Sequence, residues 1–290
     1  MTTRERVATQ CICCRSARLS SSPAIIMPFV SHRALNNPPV QIDESWGLRT
    51  VPNGTAHSIC KSLLCEDCGV VFLDVRFSDL ELSRLYADYR GTEYTALRDH
   101  YEPGYQALNE KLSAGGNYSE IVEKFLKPHI HDLNETTILD WGGDTGSNTP
   151  FRRSAKSIDI YDLSDKAVIP EARRVDKALA QRSKYSLVVC MQVLEHTPYP
   201  IDVLHDITMT MDSRSILYLE VPCEELIYSG IARPHVRKKH WHEHINFFSE
   251  KSLDELVRAC NLHTLRSDCK ETSVSGRQAL IYQVACRLKH

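Results

Sequence analysis

The chain has 290 residues, of which 35 are basic and 37 acidic, giving a formal net charge of −2. This balance excludes the strongly basic surface with which many proteins bind nucleic acid or anionic lipid. No stretch approaches the roughly 20 consecutive apolar residues of a membrane-spanning helix, and the polar segment 1–15 lacks the apolar core of a signal peptide. Eleven cysteines without such a signal indicate a reducing compartment, so we expect a cytoplasmic protein.

Three regions follow one another along the chain. The first 60 or so residues are too often interrupted by helix and strand breakers to form long elements; these are Pro23, Pro28, Pro38, Pro39, Pro52 and Gly54. Apolar residues at helical spacing after Ser78, and again from Ile121 to Leu126, predict helices. The sequence therefore predicts a small domain over residues 1–77, a helical linker or lid over 78–130, and a main domain over 131–290.

The main domain alternates short β-branched runs with helical segments. The strand candidates are 137–139, 157–161, 185–190 and 215–221, followed by 263–266 and 280–286. Strands that alternate with helices form a parallel sheet covered on both faces, so we expect an α/β, Rossmann-like fold. The clearest helix carries an apolar stripe from Leu253 to Cys260, and the spacing of Ser252 and Glu255 predicts a capping box at its start.

Two C-x-x-C pairs occur in the first region, and they predict a zinc-ribbon-like site. Cys11 and Cys14 form one pair, and Cys65 and Cys68 form the other. Two such turns can supply four thiolates to one tetrahedral Zn²⁺, which would be structural because a closed four-sulfur site has no open position for substrate. The alternative is a set of unrelated free thiols, and the neighbouring cysteines at 13 and 60 complicate the choice of ligands.

A glycine turn, Asp140-Trp-Gly-Gly-Asp-Thr-Gly146, lies between the first strand candidate of the main domain and a predicted helix. This is where a doubly wound sheet binds its cofactor. Asp144 stands where a dinucleotide fingerprint needs glycine, and its carboxylate would repel a pyrophosphate. S-adenosylmethionine carries positive groups instead, and Asp162, at the end of the next strand, can accept hydrogen bonds from ribose hydroxyls. Capping of a following turn is the alternative role for both aspartates.

With the segments that follow them, these motifs resemble the class I S-adenosylmethionine-dependent methyltransferases with an N-terminal zinc-binding segment. The similarity is greatest to sugar C-methyltransferases and methyltransferases of surface-polysaccharide clusters. It runs from about Cys65 to Ala259, in the family's order, and is carried by Cys65-Glu-Asp-Cys-Gly69, 94–105, the glycine turn, Val188-Val-Cys-Met-Gln-Val-Leu-Glu-His196, Leu219-Glu-Val-Pro222 and His242-Glu-His-Ile-Asn-Phe-Phe-Ser249.

The resemblance implies that Gly142 and Gly143 line the methionine part of the cofactor, that Asp162 holds its ribose, and that residues 191–193 floor the pocket. The candidate cofactor contacts are therefore Asp140, Gly142, Gly143, Gly146, Asp162, Leu163, Met191, Gln192 and Val193. Two positions depart from the family pattern. Asp144 replaces the middle glycine of the turn, and Ser186 replaces the aspartate that usually opens the fourth strand.

Methyl transfer needs a positioned nucleophile and, for a hydroxyl or carbon acid, a base tuned toward neutrality. In the similar sugar C-methyltransferases a Glu-His pair is associated with substrate deprotonation. The catalytic candidates are therefore His244 as base, Glu243 as the residue that orients or charges it, and His242 beside them. In the alternative, the histidines only hydrogen-bond their loop and substrate alignment suffices. His196 is expected to stabilise a loop.

We thus expect a methyltransferase that uses S-adenosylmethionine and structural Zn²⁺. Its expected acceptor is a small molecule, a sugar or nucleotide-linked sugar, which it methylates on oxygen or carbon. Nucleic acid and membranes are not expected partners. Four basic residues could bind a substrate phosphate or simply be solvated: Arg233, Arg237, Lys238 and Lys239. Tyr94, Arg98, Tyr101 and Tyr105 could form a lid or pack the domains together. The competing function is a zinc-ribbon joined to a degenerate Rossmann domain that binds a ligand or partner without turnover.

Overall fold

A computed structural model describes residues 5–113, 118–164, 166–274 and 277–289. Within these ranges the strands are β1 (Leu19–Ile26), β2 (Val40–Ile42), β3 (Gly54–Ala56), β4 (Ile59–Cys65), β5 (Val71–Leu73), β6 (Thr137–Trp141), β7 (Ser157–Tyr161), β8 (Arg173–Arg174), β9 (Leu187–Met191), β10 (Ile216–Pro222), β11 (His240–Trp241), β12 (Asn246–Phe247), β13 (Leu262–Val274) and β14 (Arg277–Leu288). The helices are α1 (Pro28–Leu35), α2 (Asp79–Tyr86), α3 (Thr92–Tyr101), α4 (Tyr105–Ser113), α5 (Tyr118–Leu126), α6 (Lys177–Gln181), α7 (Pro200–Thr208), α8 (Glu225–Tyr228), α9 (Pro234–Arg237) and α10 (Glu250–Ala259).

The main domain is built on a seven-stranded sheet in the order β13-β14-β10-β9-β6-β7-β8. Strands β10, β9, β6, β7 and β8 pair in parallel, whereas β14 pairs antiparallel with β10 and β13. Because β6 and β9 are central and parallel, the ends of both strands meet at one edge of the sheet. The strand order reverses between them, which is where ligands bind in open α/β sheets.

Helices cover both faces of this sheet, as the alternating pattern predicts. Apolar side chains of α7 and α10 pack on one face with alternate residues of the strands, and those of α5 pack on the opposite face. Strand β9 is buried almost along its whole length, which is typical of a parallel strand covered on both sides. The sheet and its helices thus place the glycine turn and the end of β9 side by side.

The N-terminal region forms a second sheet, with the order β11-β1-β4-β5-β12. Two of its strands come from the far end of the chain: β11 pairs with β1 and β12 pairs with β5. Residues 240–247 therefore run through the N-terminal sheet, although the sequence places them inside the main domain. The segment that carries the catalytic candidates is consequently held by both parts of the molecule.

The helix predicted after the glycine turn is not formed. Residues 142–156 consist of turns and loops between β6 and β7, so this part of the prediction was wrong. Pro150 lacks the N–H that a helix interior needs, and Phe151 has a φ of 57°, in the left-handed region. Glu123 on α5 accepts a hydrogen bond of 2.7 Å from the backbone N–H of Phe151, which stabilises this irregular path.

Helices α2, α3, α4 and α5 occupy the predicted linker, and α3 packs its aromatic residues against α1 and the N-terminal sheet. The predicted helix near the C-terminus is also present as α10, but its cap is Ser249, whose side chain accepts from the N–H of Ser252. No helix in the described part of the chain is long and apolar enough to cross a membrane.

Candidate active site

The glycine turn follows β6 directly, and its backbone geometry explains its residues. Gly142 and Gly146 have φ values of 82° and 83°, which glycine adopts without steric cost. A Cβ atom at position 142 would lie 2.3 Å from Cγ2 of Val193, so this turn packs directly against the residues after β9. Asp144 has a φ of 51°, and aspartate is one of the few other residues that accept this conformation.

Asp144, in the glycine turn, and Asp162, after β7, are in contact. The backbone N–H groups of Asp144 and Ser164 donate to the two carboxylate oxygens of Asp162, at 2.9 and 2.7 Å. The carboxylate of Asp144 pairs with Nζ of Lys166 at 3.0 Å. Asp144 therefore fits the middle position of the turn, and its charge is compensated by Lys166.

Asp140, by contrast, lies inside the protein, with 2% of its surface exposed. Its carboxylate accepts a hydrogen bond of 2.5 Å from Oγ1 of Thr149, and a Cβ atom at Gly143 would lie 2.6 Å from its Cγ. Burial raises the pKa of Asp140 to about 7. Asp140 thus supports the turn from inside the protein, and its contact with a cofactor stays a prediction.

The residues after β9 form the other side of this edge. Met191, Gln192 and Val193 are half-buried; Gln192 has a φ of 55°, and its amide N–H donates to the backbone carbonyl of Glu220, at 2.9 Å. Its side-chain amide donates to the carboxylate of Glu220 at 3.0 Å. Leu163, after β7, is 61% exposed. The structure thus brings the turn, Asp162 and residues 191–193 together, with Leu163 at the rim.

Glu243 is buried in a network that sequence motifs do not reveal. Arg98 donates to its Oε2 at 2.5 Å, Tyr94 donates to its Oε1, and Nδ1 of His242 lies 3.5 Å from Oε2. The other ring nitrogen of His242 bonds to Glu102. Burial alone would raise the pKa of Glu243, but the hydrogen bond from His242 and the charge of Arg98 outweigh it and hold the pKa well below its usual range.

His244 is oriented by Glu224 and not by Glu243. Its Nδ1 lies 2.8 Å from Oε1 of Glu224, on the loop after β10. Burial alone would lower the pKa of His244, but the hydrogen bond to Glu224 and the nearby carboxylates outweigh burial, so the pKa is raised. Glu224, and not Glu243, is thus the hydrogen-bond partner of His244, while the charge of Glu243 contributes to the raised pKa, as the prediction that Glu243 orients or charges His244 allowed. Glu224 was missed because it lies 20 residues away in the sequence, outside any motif.

His196 lies against His244, with ring centroids 4.7 Å apart. Its Nδ1 is 3.0 Å from the backbone carbonyl of Glu243 and 2.9 Å from the hydroxyl of Tyr86. Burial lowers the pKa of His196 to about 3, so the ring is neutral. The contact with the Glu243 carbonyl fits the predicted loop-stabilising role, while the ring contact also makes His196 part of the site.

The two cysteine pairs meet in one cluster. The sulfur atoms of Cys11, Cys14, Cys65 and Cys68 all lie within 4.8 Å of one another. The Cys11–Cys68 and Cys14–Cys65 distances are both 3.5 Å, against about 3.8 Å for four sulfurs at 2.3 Å from a tetrahedral Zn²⁺. Cys60 packs in a different cluster. The donor set and its geometry fit a zinc ion.

A basic cleft of about 450 Å³ lies beside α9, next in sequence to the histidine segment. It is lined by Ala232, Arg233, Val236, Arg237 and Lys239. Lys238 points elsewhere, because its Nζ lies 4.3 Å from the ring centroid of Phe247. Three of the four predicted basic residues therefore face one open space.

A family model described as "Methyltransferase domain" matches residues 108–267, which is more than half of the chain. The chain therefore belongs to the class I S-adenosylmethionine-dependent methyltransferases, which confirms the predicted class of enzyme. No curated protein is significantly similar to it in sequence.

Solved structures with a similar fold include 1,6-didemethyltoxoflavin-N1-methyltransferase from Burkholderia thailandensis, which is 13% identical, with 77% of this chain and 97% of that chain covered and a TM-score of 0.47. Magnesium protoporphyrin IX methyltransferase from Synechocystis PCC 6803 is 17% identical, with 62% and 87% covered and a TM-score of 0.44. A methyltransferase-like protein from Bacillus halodurans C-125 is 10% identical, with 58% and 98% covered and a TM-score of 0.43.

Proposed function

We propose that this enzyme transfers the methyl group of S-adenosylmethionine to a small polar acceptor, a sugar or nucleotide-linked sugar. The observation that carries the proposal is the position of His244, whose Nδ1 bonds to Glu224, on a segment that follows β10 and packs against the residues after β9. A hydrogen-bonded imidazole beside the cofactor edge of the sheet is suited to removing a proton from an acceptor.

The cofactor's contacts in this proposal follow from the geometry of the turn. Gly142 and Gly143 line the methionine part, and the turn that presents them can pack on Val193 only because Gly142 has no side chain. Each oxygen of the Asp162 carboxylate accepts one backbone hydrogen bond and keeps a lone pair for a ribose hydroxyl. Met191, Gln192 and Val193 form the floor, and Leu163 covers the adenine side. Asp140 holds the turn in place.

The transfer is an in-line displacement, in which the acceptor's lone pair forms the new bond to the methyl carbon while the carbon–sulfur bond breaks. The bonding electrons return to sulfur, leaving neutral S-adenosylhomocysteine, and the acceptor's proton passes to Nε2 of His244. Glu224 stabilises the resulting imidazolium. Glu243 and His242, fixed by Arg98 and Glu102, shape the acceptor side of the pocket.

A phosphate-bearing acceptor is supported by the basic cleft. Arg233, Arg237 and Lys239 line it, and β11, which begins one residue later, leads directly to His244. Arginine side chains bind phosphate with paired hydrogen bonds. A nucleotide-linked sugar would thus have its diphosphate in this cleft and its sugar near His244.

Structural Zn²⁺ in the four-cysteine cluster completes the proposal. The N–H groups of Cys13 and Cys14 point at Sγ of Cys11, at 3.4 and 3.5 Å, as expected around a thiolate. Ser249, the cap of α10, donates to the backbone carbonyl of Cys68 at 2.9 Å. The ion would therefore stabilise both the N-terminal sheet and the start of the helix that follows the histidine segment.

The test is methyl transfer from labelled S-adenosylmethionine to a panel of acceptors, with calorimetry of cofactor binding on the same sample. We expect micromolar binding, turnover of at least one nucleotide-linked sugar, and loss of turnover in His244→Gln with cofactor binding retained. The matched control is His263→Gln, which changes a histidine on β13. Absence of binding at millimolar cofactor would overturn the proposal, and turnover only of acceptors that are not sugars would overturn its substrate class. Turnover of free sugars but not of nucleotide-linked sugars would reject the phosphate-binding role of the basic cleft.

A further inference from the structure

Glu195 is a fully buried carboxylate at the cofactor edge of the main sheet. It follows β9, its surface is 0% exposed, and neither carboxylate oxygen has a hydrogen-bond partner within the described residues. A buried carboxylate without partners is costly in either form, since the ionised group has lost its hydration and the protonated group has an unsatisfied O–H. Nothing in the methyl-transfer scheme above uses Glu195.

Two imidazoles face this carboxylate. Nε2 of His196 lies 3.8 Å from Oε1 of Glu195, too far for a hydrogen bond. One ligand atom from each of Glu195, His196 and His244 can be chosen so that the three lie within 4.8 Å of one another. Ligands about 2.1 Å from a metal ion are about 3 to 4 Å apart, so the ligand atoms would approach one another by at most about 1 to 2 Å around an ion.

The protonation of both rings follows from their other partners. Nδ1 of His196 lies 3.0 Å from the backbone carbonyl of Glu243 and 2.9 Å from the hydroxyl of Tyr86. Because the carbonyl can only accept, we assign the proton to Nδ1, with the Tyr86 oxygen as a second acceptor. Nδ1 of His244 is bonded to the carboxylate of Glu224, which also accepts. Each ring therefore keeps a lone pair on Nε2. Metal-binding histidines are held in this way, with the second nitrogen donating to a carbonyl or carboxylate.

We propose that Glu195, His196 and His244 bind one divalent transition-metal ion, through the carboxylate of Glu195 and Nε2 of each histidine. Two imidazoles and one carboxylate suit Zn²⁺, Mn²⁺ or Fe²⁺. The ion satisfies the carboxylate of Glu195 and separates it from the lone pair of His196. It is distinct from the four-sulfur site, which is built from other residues.

The role of the ion rests on the proposed function. Three protein ligands leave positions for an acceptor oxygen, whose proton is lost more readily when a cation is bound. With the ion present His244 is a ligand, and the proton leaves to solvent; without it His244 accepts the proton. The site would therefore favour O-methylation of a hydroxyl.

Mn²⁺ is the probe, because thiolates bind it poorly and its EPR signal changes on binding. Protein given one equivalent of Zn²⁺, which the four thiolates take up first, is dialysed and then titrated with Mn²⁺, and we expect one Mn²⁺ bound per chain. Glu195→Gln and His244→Gln should each raise the Kd for Mn²⁺ at least tenfold. Glu224→Gln, which removes only the partner of His244, should raise the Kd less. The matched control is Glu225→Gln, which changes the exposed carboxylate next to Glu224 and should leave the Kd unchanged.

The proposal is overturned if the zinc-loaded protein binds no Mn²⁺ at millimolar concentration, or if Glu195→Gln binds it like the parent. Circular dichroism establishes that each variant is folded; should Glu195→Gln not fold, His244→Gln, at a partly exposed position, decides the matter. Calorimetry with S-adenosylmethionine on the same samples separates the two proposals. Cofactor binding without Mn²⁺ binding rejects the metal site alone, and Mn²⁺ binding without cofactor binding rejects the methyl-transfer function alone.

Discussion

The hydroxyl of Tyr94 donates a hydrogen bond to the carboxylate of Glu243, across 149 positions of sequence. Arg98, one helical turn further along α3, donates to the other oxygen of Glu243 at 2.5 Å. Both donors are largely buried, and they attach the helical linker to the segment that carries the histidines. Tyr94 and Arg98 thus pack the two regions together, one of the two roles that the sequence allowed.

Arg98→Met should destabilise the protein strongly, because it leaves the carboxylate of Glu243 buried without its cation. Breaking a buried pair from one side costs about 3–5 kcal/mol. The measurement is the free energy of unfolding from chemical denaturation at pH 7. Arg258→Met is the matched control, since its pair with Asp254 is exposed, and it should cost less than about 1 kcal/mol. Equal losses in the free energy of unfolding for the two substitutions would contradict the conclusion that Arg98 compensates a buried charge on Glu243.

Glu224→Gln should shift the pH dependence of methyl transfer toward lower pH. Glu224 raises the pKa of His244, so removing its charge lowers that pKa, and the base is free of its proton at a lower pH. The measurement is the acid limb of kcat/KM against pH, in protein without added divalent metal. Glu225→Gln changes the next, exposed residue and should leave the limb in place. If the acid limb of the pH profile of kcat/KM stays at the same pH in Glu224→Gln, His244 is not the base.

Gly142→Ala should weaken cofactor binding at least tenfold. The new Cβ would meet Cγ2 of Val193 at 2.3 Å, and the φ of 82° is unfavourable for alanine. Adding Val193→Ala should recover part of the loss by removing the collision, while the backbone strain persists. Calorimetry with S-adenosylmethionine measures both. If the double variant binds S-adenosylmethionine no more tightly than Gly142→Ala, the collision with Val193 does not cause the loss of affinity.

Asp162→Asn should raise the Kd for S-adenosylmethionine by about 10- to 100-fold, since a hydrogen bond to a charged group contributes roughly 1.5–3 kcal/mol. Its Tm should fall only modestly, because the amide oxygen can still accept one of the two backbone N–H groups that donate to Asp162. Asp254→Asn, on the exposed side of α10, is the control. Unchanged cofactor affinity in Asp162→Asn would assign the ribose to another residue.

Cys65→Ser should remove zinc from the purified protein and lower its Tm, because the cluster loses one of four ligands. Zinc content by elemental analysis and Tm by calorimetry are the measurements. Cys269→Ser changes an exposed cysteine outside the cluster and should alter neither. Zinc at full stoichiometry in Cys65→Ser would exclude Cys65 as a ligand.

Features that depend on neighbours in sequence could be predicted, and those that depend on tertiary contacts could not. The glycine turn, the two cysteine pairs and the strands beside them are encoded within a few residues, and the structure places them as expected. The helix after the turn failed because Phe151 adopts a left-handed conformation held by Glu123, from another helix. Glu224 and the contact of Tyr94 with Glu243 could not be recognised because their partners lie far away in the sequence. The burial of Asp140 also depends on tertiary packing and is not visible in its motif.

The pairing of β11 and β12 with the N-terminal strands has a consequence for biosynthesis. Residues 240–247 leave the ribosome long after β1 and β5, so both strands have unpaired edges while the intervening residues are made. Exposed strand edges are prone to pair with other chains, and domains generally fold as complete units. The first 77 residues therefore cannot reach their final structure until residues 240–247 have been made, and fragments that end before this segment should aggregate.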